Sequence, residues 1–133
     1  MRDGDTTEST AEAYLARLAE RGIDYVFANA GTDFPPIIEA IARNHNGRRK
    51  FPKIITVPHE NVAMAMAHGY YRIAGKPAAV MVHVNVGTAN AINGLINAAS
   101  TKPKMAMLAL IPRVRIRIAV QAKPGLLRNC RSA

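Results

Sequence analysis

The sequence predicts an α/β fold in which a doubly wound, mostly parallel sheet is covered by helices on both faces. Helical and strand-like segments alternate as α, β, α, β, α, β, α, β up to residue 110. Such alternation is typical of parallel strands joined by right-handed crossover helices. The apolar run 78–84 also has the length of a strand that is buried on both of its faces.

The first helix is marked at both ends. Ser9 or Thr10 can cap its start, and Gly22 fits the left-handed position just beyond its end. Its predicted apolar face consists of Ala11, Tyr14, Leu15, Leu18 and Ala19. This face predicts packing against the sheet.

The next segments give two strands and two helices. Residues 24–27 form the first predicted strand, and Asp33 is expected to cap a second helix whose first turn holds two prolines. The second strand, 53–57, stops at Pro58 because proline has no N–H to donate to a sheet ladder. Glu60 opens a third helix that is apolar on nearly all sides, which predicts that this helix is buried all round.

The last predicted elements follow the buried strand 78–84. A tight turn is expected at 85–88, then a fourth helix at 89–99 and a fourth strand at 105–110. The side chains expected to point inward from the fourth helix are Ile92, Leu95 and Ile96. We expect a flavodoxin-like strand order, in a sheet that is incomplete at its C-terminal side.

The pattern stops after residue 110. We predict a domain at 1–110 and a basic tail at 111–133 that is disordered or non-native, although alternating basic and apolar residues at 111–120 also fit an edge strand with one wet face. The net charge is +9, and eight of the 18 basic residues lie beyond residue 101. The excess positive charge therefore belongs to the tail.

Composition narrows the class of protein. No apolar run approaches the ~20 residues of a membrane span, and the N-terminus lacks the apolar core of a signal peptide. The single cysteine, Cys130, allows no intrachain disulfide. We expect a cytoplasmic protein that has no membrane partner.

Glu60 stands out among the acidic residues. It is the last Asp or Glu in the chain, and it lies where a strand ends and an apolar helix begins. One interpretation is a structural charge that interacts with the helix dipole. The other is a partly desolvated acid that shares a proton with a ligand.

Three strand ends are expected to meet at one edge of the sheet, where open α/β folds bind ligands. They bring together the turn 29–32, the pair His59-Glu60 and the segment 83–88. Gly31 and Gly87 permit close approach of the backbone to a ligand. The sequence contains no dinucleotide or P-loop glycine motif, and its histidines lack zinc spacing, so no metal site is predicted.

Four stretches together resemble a known family. They are V-F-A-N-A-G-T at 26–32, P-H-E at 58–60, A-H-G-Y-Y-R-I-A-G-K-P at 67–77 and N-V-G-T-A-N-A-I-N-G-L at 85–95. They are similar to the pyrimidine-binding N-terminal domain of thiamine-diphosphate-dependent enzymes, closest to the acetolactate synthase and benzoylformate decarboxylase group. The resemblance covers residues 8–110.

The resemblance implies a role for Glu60. The matching glutamate hydrogen-bonds the pyrimidine N1′ of thiamine diphosphate and favours the imino tautomer. The nitrogen of that tautomer removes the thiazolium C2 proton, and the resulting ylide attacks 2-oxo acids. Gly87, Thr88 and Asn90 are implied to contact the cofactor.

The resemblance also implies two weaker groups of site residues. His83 falls at the position of an active-site histidine that relays protons in benzoylformate decarboxylase-like members. Thr32, together with Asn29, falls beside the expected substrate carboxylate. The alternatives are that His83 is a packed strand histidine and that Thr32 is a turn residue.

The chain also departs from the family. Asn85-Val86-Gly87 stands where many members have Gly-Pro-Gly, and the G-D-G…N motif that binds magnesium and diphosphate is absent. We therefore expect half of a 2-oxo acid decarboxylase or carboligase site, inactive alone, in a truncated or frame-shifted product that forms a homodimer.

Two other interpretations remain open. In one, the chain is a subunit of a split enzyme, completed by a second chain that carries the diphosphate domain with its magnesium. In the other, it is a small basic protein that binds nucleic acid through the tail, with an affinity that falls steeply as salt increases.

Overall fold

The computed structural model describes residues 8–101 together with the backbone of 105–110 and 117–121. Its helices are α1 (Thr10–Glu20), α2 (Pro35–Arg43), α3 (Glu60–Ala74) and α4 (Val84–Thr101). Its strands are β1 (Tyr25–Ala28), β2 (Lys53–Thr56), β3 (Ala78–His83), β4 (Met105–Leu110) and β5 (Arg117–Gln121). The predicted order of the first eight elements is confirmed.

The strands form one sheet in the order β2-β1-β3-β4-β5. The first four are parallel, and β5 runs antiparallel to β4. The predicted doubly wound fold and its flavodoxin-like order are therefore confirmed. Strand β5 falls within the segment predicted as a tail, where an edge strand was the alternative. The domain boundary at residue 110 stays a prediction, and 111–116 and 122–133 lie outside the described residues.

Helices α1 and α2 cover one face of the sheet. Ser9 caps α1 in a reciprocal capping box, in which its Oγ accepts the Glu12 N–H at 3.2 Å and Glu12 Oε2 accepts the Ser9 N–H at 2.7 Å. Gly22 follows the helix with a φ of +77°, as predicted for that position. The core on this face consists of Leu15, Leu18, Ile23, Val26, Ala28, Phe34, Ile37, Ala40, Ala79 and Met81.

Helices α3 and α4 cover the opposite face. Because neighbouring strand residues point to opposite faces, Phe27, Val80 and Val82 belong to this second core. The residues that α4 buries are small, including Ala91 and Ala98. The two helices also approach closely at Gly94, where an added Cβ would lie 2.5 Å from Met64 Cβ.

Two predictions about helix faces are wrong. Helix α3 is not buried all round, since Val62 and Met66 are exposed and Ile73 is 92% exposed. Helix α4 leaves Ile92 and Ile96 exposed at 45% and 64%, whereas Leu95, also predicted to point inward, packs against the core. The reason is that α4 presents its glycines and alanines to α3 and to the sheet, which turns the larger side chains outward.

The predicted turn at 85–88 is also wrong, because α4 begins directly after β3. Val84 makes the change of direction alone with a φ of 39°, a conformation that is rare for a β-branched residue. The Thr88 hydroxyl then donates to the Val84 carbonyl at 2.8 Å within the first turns of α4.

Asp33 does not cap α2, which is a further correction. The N-cap residue is Phe34, and it makes no side-chain hydrogen bond to the helix. The Asp33 carboxylate instead accepts a hydrogen bond from His83 at the end of β3. Pairing across neighbouring strands therefore overrides the local capping preference.

Candidate functional site

The candidate site lies where the carboxyl ends of β1, β2 and β3 meet. Asn29 joins these ends, because its backbone N–H donates to the Met81 carbonyl at 3.0 Å and its Nδ2 donates to the Val57 carbonyl at 3.1 Å. The amide nitrogen of Asn29 is thus used in holding the strand ends together. The geometry assigns it a structural role, and substrate binding by Asn29 stays a prediction.

Glu60 is buried at this edge, with 7% of the residue exposed. It is the first residue of α3, and His59 caps the helix by accepting the Asn61 N–H on Nδ1 at 3.2 Å. Asn90 of α4 donates from Nδ2 to Glu60 Oε2 at 3.2 Å. The carboxylate is therefore fixed between the start of α3 and the second turn of α4.

Gly87 lies directly against the Glu60 carboxylate. A Cβ at this position would come within 3.0 Å of Glu60 Oε1 and 3.3 Å of Val82 Cβ. A side chain at this position would therefore press on the acid where α4 approaches it closely, and the φ of Gly87 is not positive. The residues predicted to bind the cofactor, Glu60, Gly87 and Asn90, do lie together, whereas the Thr88 hydroxyl is engaged with its own helix.

A second cluster surrounds His83 at the end of β3. His83 Nδ1 lies 2.6 Å from Asp33 Oδ1, and a Cβ on Gly31 would overlap the imidazole ring. The other carboxylate oxygen, Asp33 Oδ2, is buried and has no hydrogen-bond partner among the described residues. Thr32 is exposed in the turn between Gly31 and Asp33, so its contact with a substrate stays a prediction.

The backbone between the two clusters is strained. Val84 follows His83 and starts the helix that carries Gly87 and Asn90, and its positive φ costs about 1–3 kcal/mol for a residue other than glycine. Among the described residues, no hydrogen bond between side chains joins the two clusters, since His83 pairs with Asp33 and Asn90 with Glu60. They share the strand-to-helix junction instead.

Sequence reasoning missed Asp33 as a site residue. The available signal was its position just after the β1 turn, next to the strand that ends in His83. Adjacent parallel strands bring their carboxyl ends together, so an acid and a histidine in those positions are neighbours. Local spacing alone indicated a helix cap for Asp33, so its pairing with His83 was not predicted.

An ion pair away from the site lies at the amino end of β1. Lys76 Nζ lies 2.8 Å from Asp24 Oδ2, and the Tyr70 hydroxyl donates to the same oxygen at 3.3 Å. The hydrogen bond from Lys76 lowers the pKa of Asp24, and the same bond raises the pKa of Lys76. Burial raises the pKa of Tyr14, in the α1 core, to about 12.

Metal sites and membrane-spanning helices are two further features to consider in the described residues. Within 8–101 and the two flanking strands, no group of three His, Cys, Asp or Glu side chains is arranged to hold a metal ion. No helix in that part of the chain is long and apolar enough to cross a membrane.

Together, the fold and the site define a doubly wound α/β domain with a buried carboxylate at the carboxyl edge of its sheet. The family described as thiamine pyrophosphate enzyme, N-terminal TPP binding domain, matches residues 8–125. The chain belongs to this family.

The similar proteins are much longer than this chain. IlvX of Mycobacterium tuberculosis, whose name places it with acetolactate synthase large subunits, is 35% identical over 101 residues, which span 74% of this chain and 18% of that protein. The acetolactate synthase large subunit of Haemophilus influenzae is 34% identical over 101 residues, spanning 76% of this chain and 17% of that protein. This chain therefore matches less than a fifth of either relative.

A solved structure agrees with the fold. The 4-hydroxybenzoylformate decarboxylase of Rhodococcus jostii, a thiamine-diphosphate-dependent enzyme, superposes with a TM-score of 0.64 at 24% identity, over 76% of this chain and 18% of that one. At this identity the likeness concerns the fold alone.

Proposed function

We propose that this chain supplies the pyrimidine side of a thiamine-diphosphate site in a decarboxylase or carboligase of 2-oxo acids. The observation that carries the proposal is the buried Glu60 carboxylate at the carboxyl edge of the sheet, held by Asn90 and faced by a glycine. A carboxylate that only interacted with the helix dipole would need neither the burial nor the neighbouring glycine. Both features are useful when a ligand has to reach the acid.

The residues present fit an aminopyrimidine. Glu60 offers a carboxylate in a setting poor in water, where a hydrogen bond to a ligand is stronger than it is in solvent. Gly87 places no side chain against Glu60 Oε1, and the Val82 side chain lies beside the same position as an apolar neighbour. These surroundings of the carboxylate suit a flat ring that is partly apolar and carries a basic nitrogen.

Each residue has a separate part in the proposed site. When bound, thiamine diphosphate supplies a carbon nucleophile that attacks the carbonyl of a 2-oxo acid. Glu60 holds and shares a proton with the pyrimidine, and Asn90 orients Glu60. His83 moves a proton near the substrate, while Thr32 contacts the substrate carboxylate.

The diphosphate and its magnesium are assigned to another domain. This chain has no Asp or Glu after Glu60, and its described residues hold no cluster of metal ligands. We propose that this other domain comes from further polypeptide or from a second chain, with the domain described here also pairing as a homodimer. The pure 133-residue chain is then expected to turn over no 2-oxo acid when supplied with thiamine diphosphate and magnesium.

Cofactor contact can be tested on the chain itself. We expect thiamine, without its diphosphate, to shift the amide NMR signals of Glu60, Gly87 and Asn90. Glu60→Gln should weaken this response, because glutamine cannot share a carboxyl proton with the ring. Glu20→Gln, an exposed change on α1, is the matched control. An equal response in both variants would remove Glu60 from the site.

Catalysis requires the completed site. In a protein joined to the diphosphate domain of a relative, Glu60→Gln should slow exchange of the thiazolium C2 proton by about 10²–10⁴-fold. If Glu60 served only the helix dipole, the change would instead cost about 0.3–1 kcal/mol of stability and leave exchange intact. Proton exchange followed by NMR separates the two outcomes.

A further inference from the structure

We propose that Asp33 is a positioning residue for His83, which it holds in one tautomer so that Nε2 is the ring atom that exchanges protons with the ligand. The pairing is a feature of this chain on its own. Its use in proton exchange rests on the proposed function.

The short contact fixes which nitrogen carries the hydrogen. His83 Nδ1 lies 2.6 Å from Asp33 Oδ1, and an ionised carboxylate can only accept a hydrogen bond. Nδ1 must therefore be the donor. In the neutral imidazole the lone pair then lies on Nε2, since only one ring nitrogen is protonated.

Gly31 fixes the position of the ring. The ring atoms nearest to a Cβ built on Gly31 are Nδ1, Cγ and Cε1 of His83, and the last of these would be 2.6 Å away. Because glycine has no Cβ, the ring lies against the backbone of the β1 turn. Nε2 is not among these nearest atoms, so the turn covers the Nδ1 side and leaves Nε2 as the more remote nitrogen.

The Asp33 carboxylate is held at a cost. Oδ2 is buried without a hydrogen-bond partner among the described residues, and leaving a buried acceptor unsatisfied destabilises the folded chain. Asparagine in this place would still accept from Nδ1 and would carry no charge. A charged partner gains most when His83 becomes positive, because the ion pair then stabilises the imidazolium.

The proposed proton transfer moves one proton between the ligand and His83 and returns it. His83 takes a proton from the ligand at Nε2 and becomes an imidazolium that donates from both nitrogens. Asp33 keeps its hydrogen bond to Nδ1–H and does not become protonated. The proton returns from Nε2 to the ligand in the next step, which restores the starting tautomer.

The test is the tautomer of His83 in the full 133-residue chain labelled with ¹⁵N-histidine, read from ring ¹⁵N shifts above neutral pH in solution or in sedimented protein. We expect His83 to be Nδ1–H in the parent. Asp33→Ala should lose this preference, whereas Asp33→Asn should keep it because its amide oxygen still accepts. Gly31→Ala should lose it by displacing the ring.

His59 is the internal control, because its Nδ1 accepts the Asn61 N–H and it must therefore be the Nε2–H tautomer in every variant. An Nε2–H tautomer for His83 in the parent would overturn the proposal, even if the variants do not fold. An unchanged His83 signal in a folded Asp33→Ala chain would also overturn it.

No thiamine is needed for these measurements, so they stand apart from the test of Glu60. If thiamine fails to shift the Glu60 signals while His83 is Nδ1–H, the proposed function is wrong and the pairing is retained. If thiamine shifts the Glu60 signals while His83 is Nε2–H, the pairing is wrong and the proposed function is retained.

Discussion

The two helical layers of the sheet differ in their outer surfaces, although α2 also exposes Ile38 and Ile41. On α1 and α2 the exposed side chains include charged pairs, with Arg17 and Glu20 at 2.8 Å and Arg43 and Glu39 at 2.6 Å. Helix α4 carries no charged residue between Val84 and Thr101. The large apolar side chains exposed on α3 and α4 are Val62, Met66, Ile73, Val86, Ile92 and Ile96.

The layers differ in their interiors as well. The α1 and α2 core is filled by large side chains such as Leu15 and Phe34, whereas α4 buries Ala91 and Ala98 and crosses α3 at Gly94. Close helix packing leaves few large side chains to bury. The layer that carries Glu60 and Asn90 therefore also exposes its large apolar side chains. An exposed apolar surface of this kind is typical of a surface that binds another protein.

The largest expected effect is on the packing between α3 and α4. Gly94→Ala would place a Cβ 2.5 Å from Met64 Cβ, and overpacking of this kind costs about 1–3 kcal/mol in the free energy of unfolding. Gly69→Ala is the matched control, because its added Cβ has no neighbour within 4 Å. The control should gain about 0.5–1 kcal/mol from helix propensity. Equal denaturation curves for the two variants would show that the helices are not closely packed.

A second effect concerns association. We expect the parent chain to self-associate through the outer face of α3 and α4, and Ile96→Glu to weaken that association at least tenfold, which is about 1.4 kcal/mol. Ile38→Glu on α2 is the control, since its side chain is 59% exposed against 64% for Ile96. Sedimentation at several concentrations measures both. A parent chain that is monomeric at micromolar concentration would contradict self-association. A control that dissociates as much as Ile96→Glu would show that the face of α3 and α4 is not specific for it.

The smallest effect is a dependence on pH at the far end of α3, where Lys76 gives this layer an ion pair with Asp24. The pKa of Asp24 is lowered from 3.8 by that hydrogen bond, so its contribution to stability is present above pH 3.8 and is lost as the pH falls through its folded pKa. Asp24→Asn should remove this part of the acid sensitivity in denaturation curves. Lys76→Met should do the same, and a slope unchanged in both would contradict the pairing.

Much of the fold was predictable because it depends on local patterns. The fourth strand has the predicted bounds, and α3 begins at Glu60 because Pro58 ends the strand before it. The inward faces of α3 and α4 were not predictable by the same reasoning. Apolar periodicity assumes that large residues point inward, whereas α4 is oriented by its smallest residues.

The site divides in the same way. Glu60, Gly87 and Asn90 follow from a motif with fixed spacing, and the structure brings them together. The pairing of Asp33 with His83 depends on which strands are neighbours, and local spacing instead suggests a helix cap. A residue whose partner is distant in sequence needs the topology before its role becomes visible.

The strand order also bears on how the chain acquires its fold during synthesis. Strand β1 pairs with β2 on one side, but its other neighbour is β3, which is made only after α2, β2 and α3. Parallel pairing across such a long connection is slow, because the loop must close before the contacts form. A nascent chain that stops short of Ala78 exposes one unpaired side of β1, and an open strand edge of this kind invites pairing with other chains. Translation past β3 thus allows this open edge of β1 to be paired within the chain.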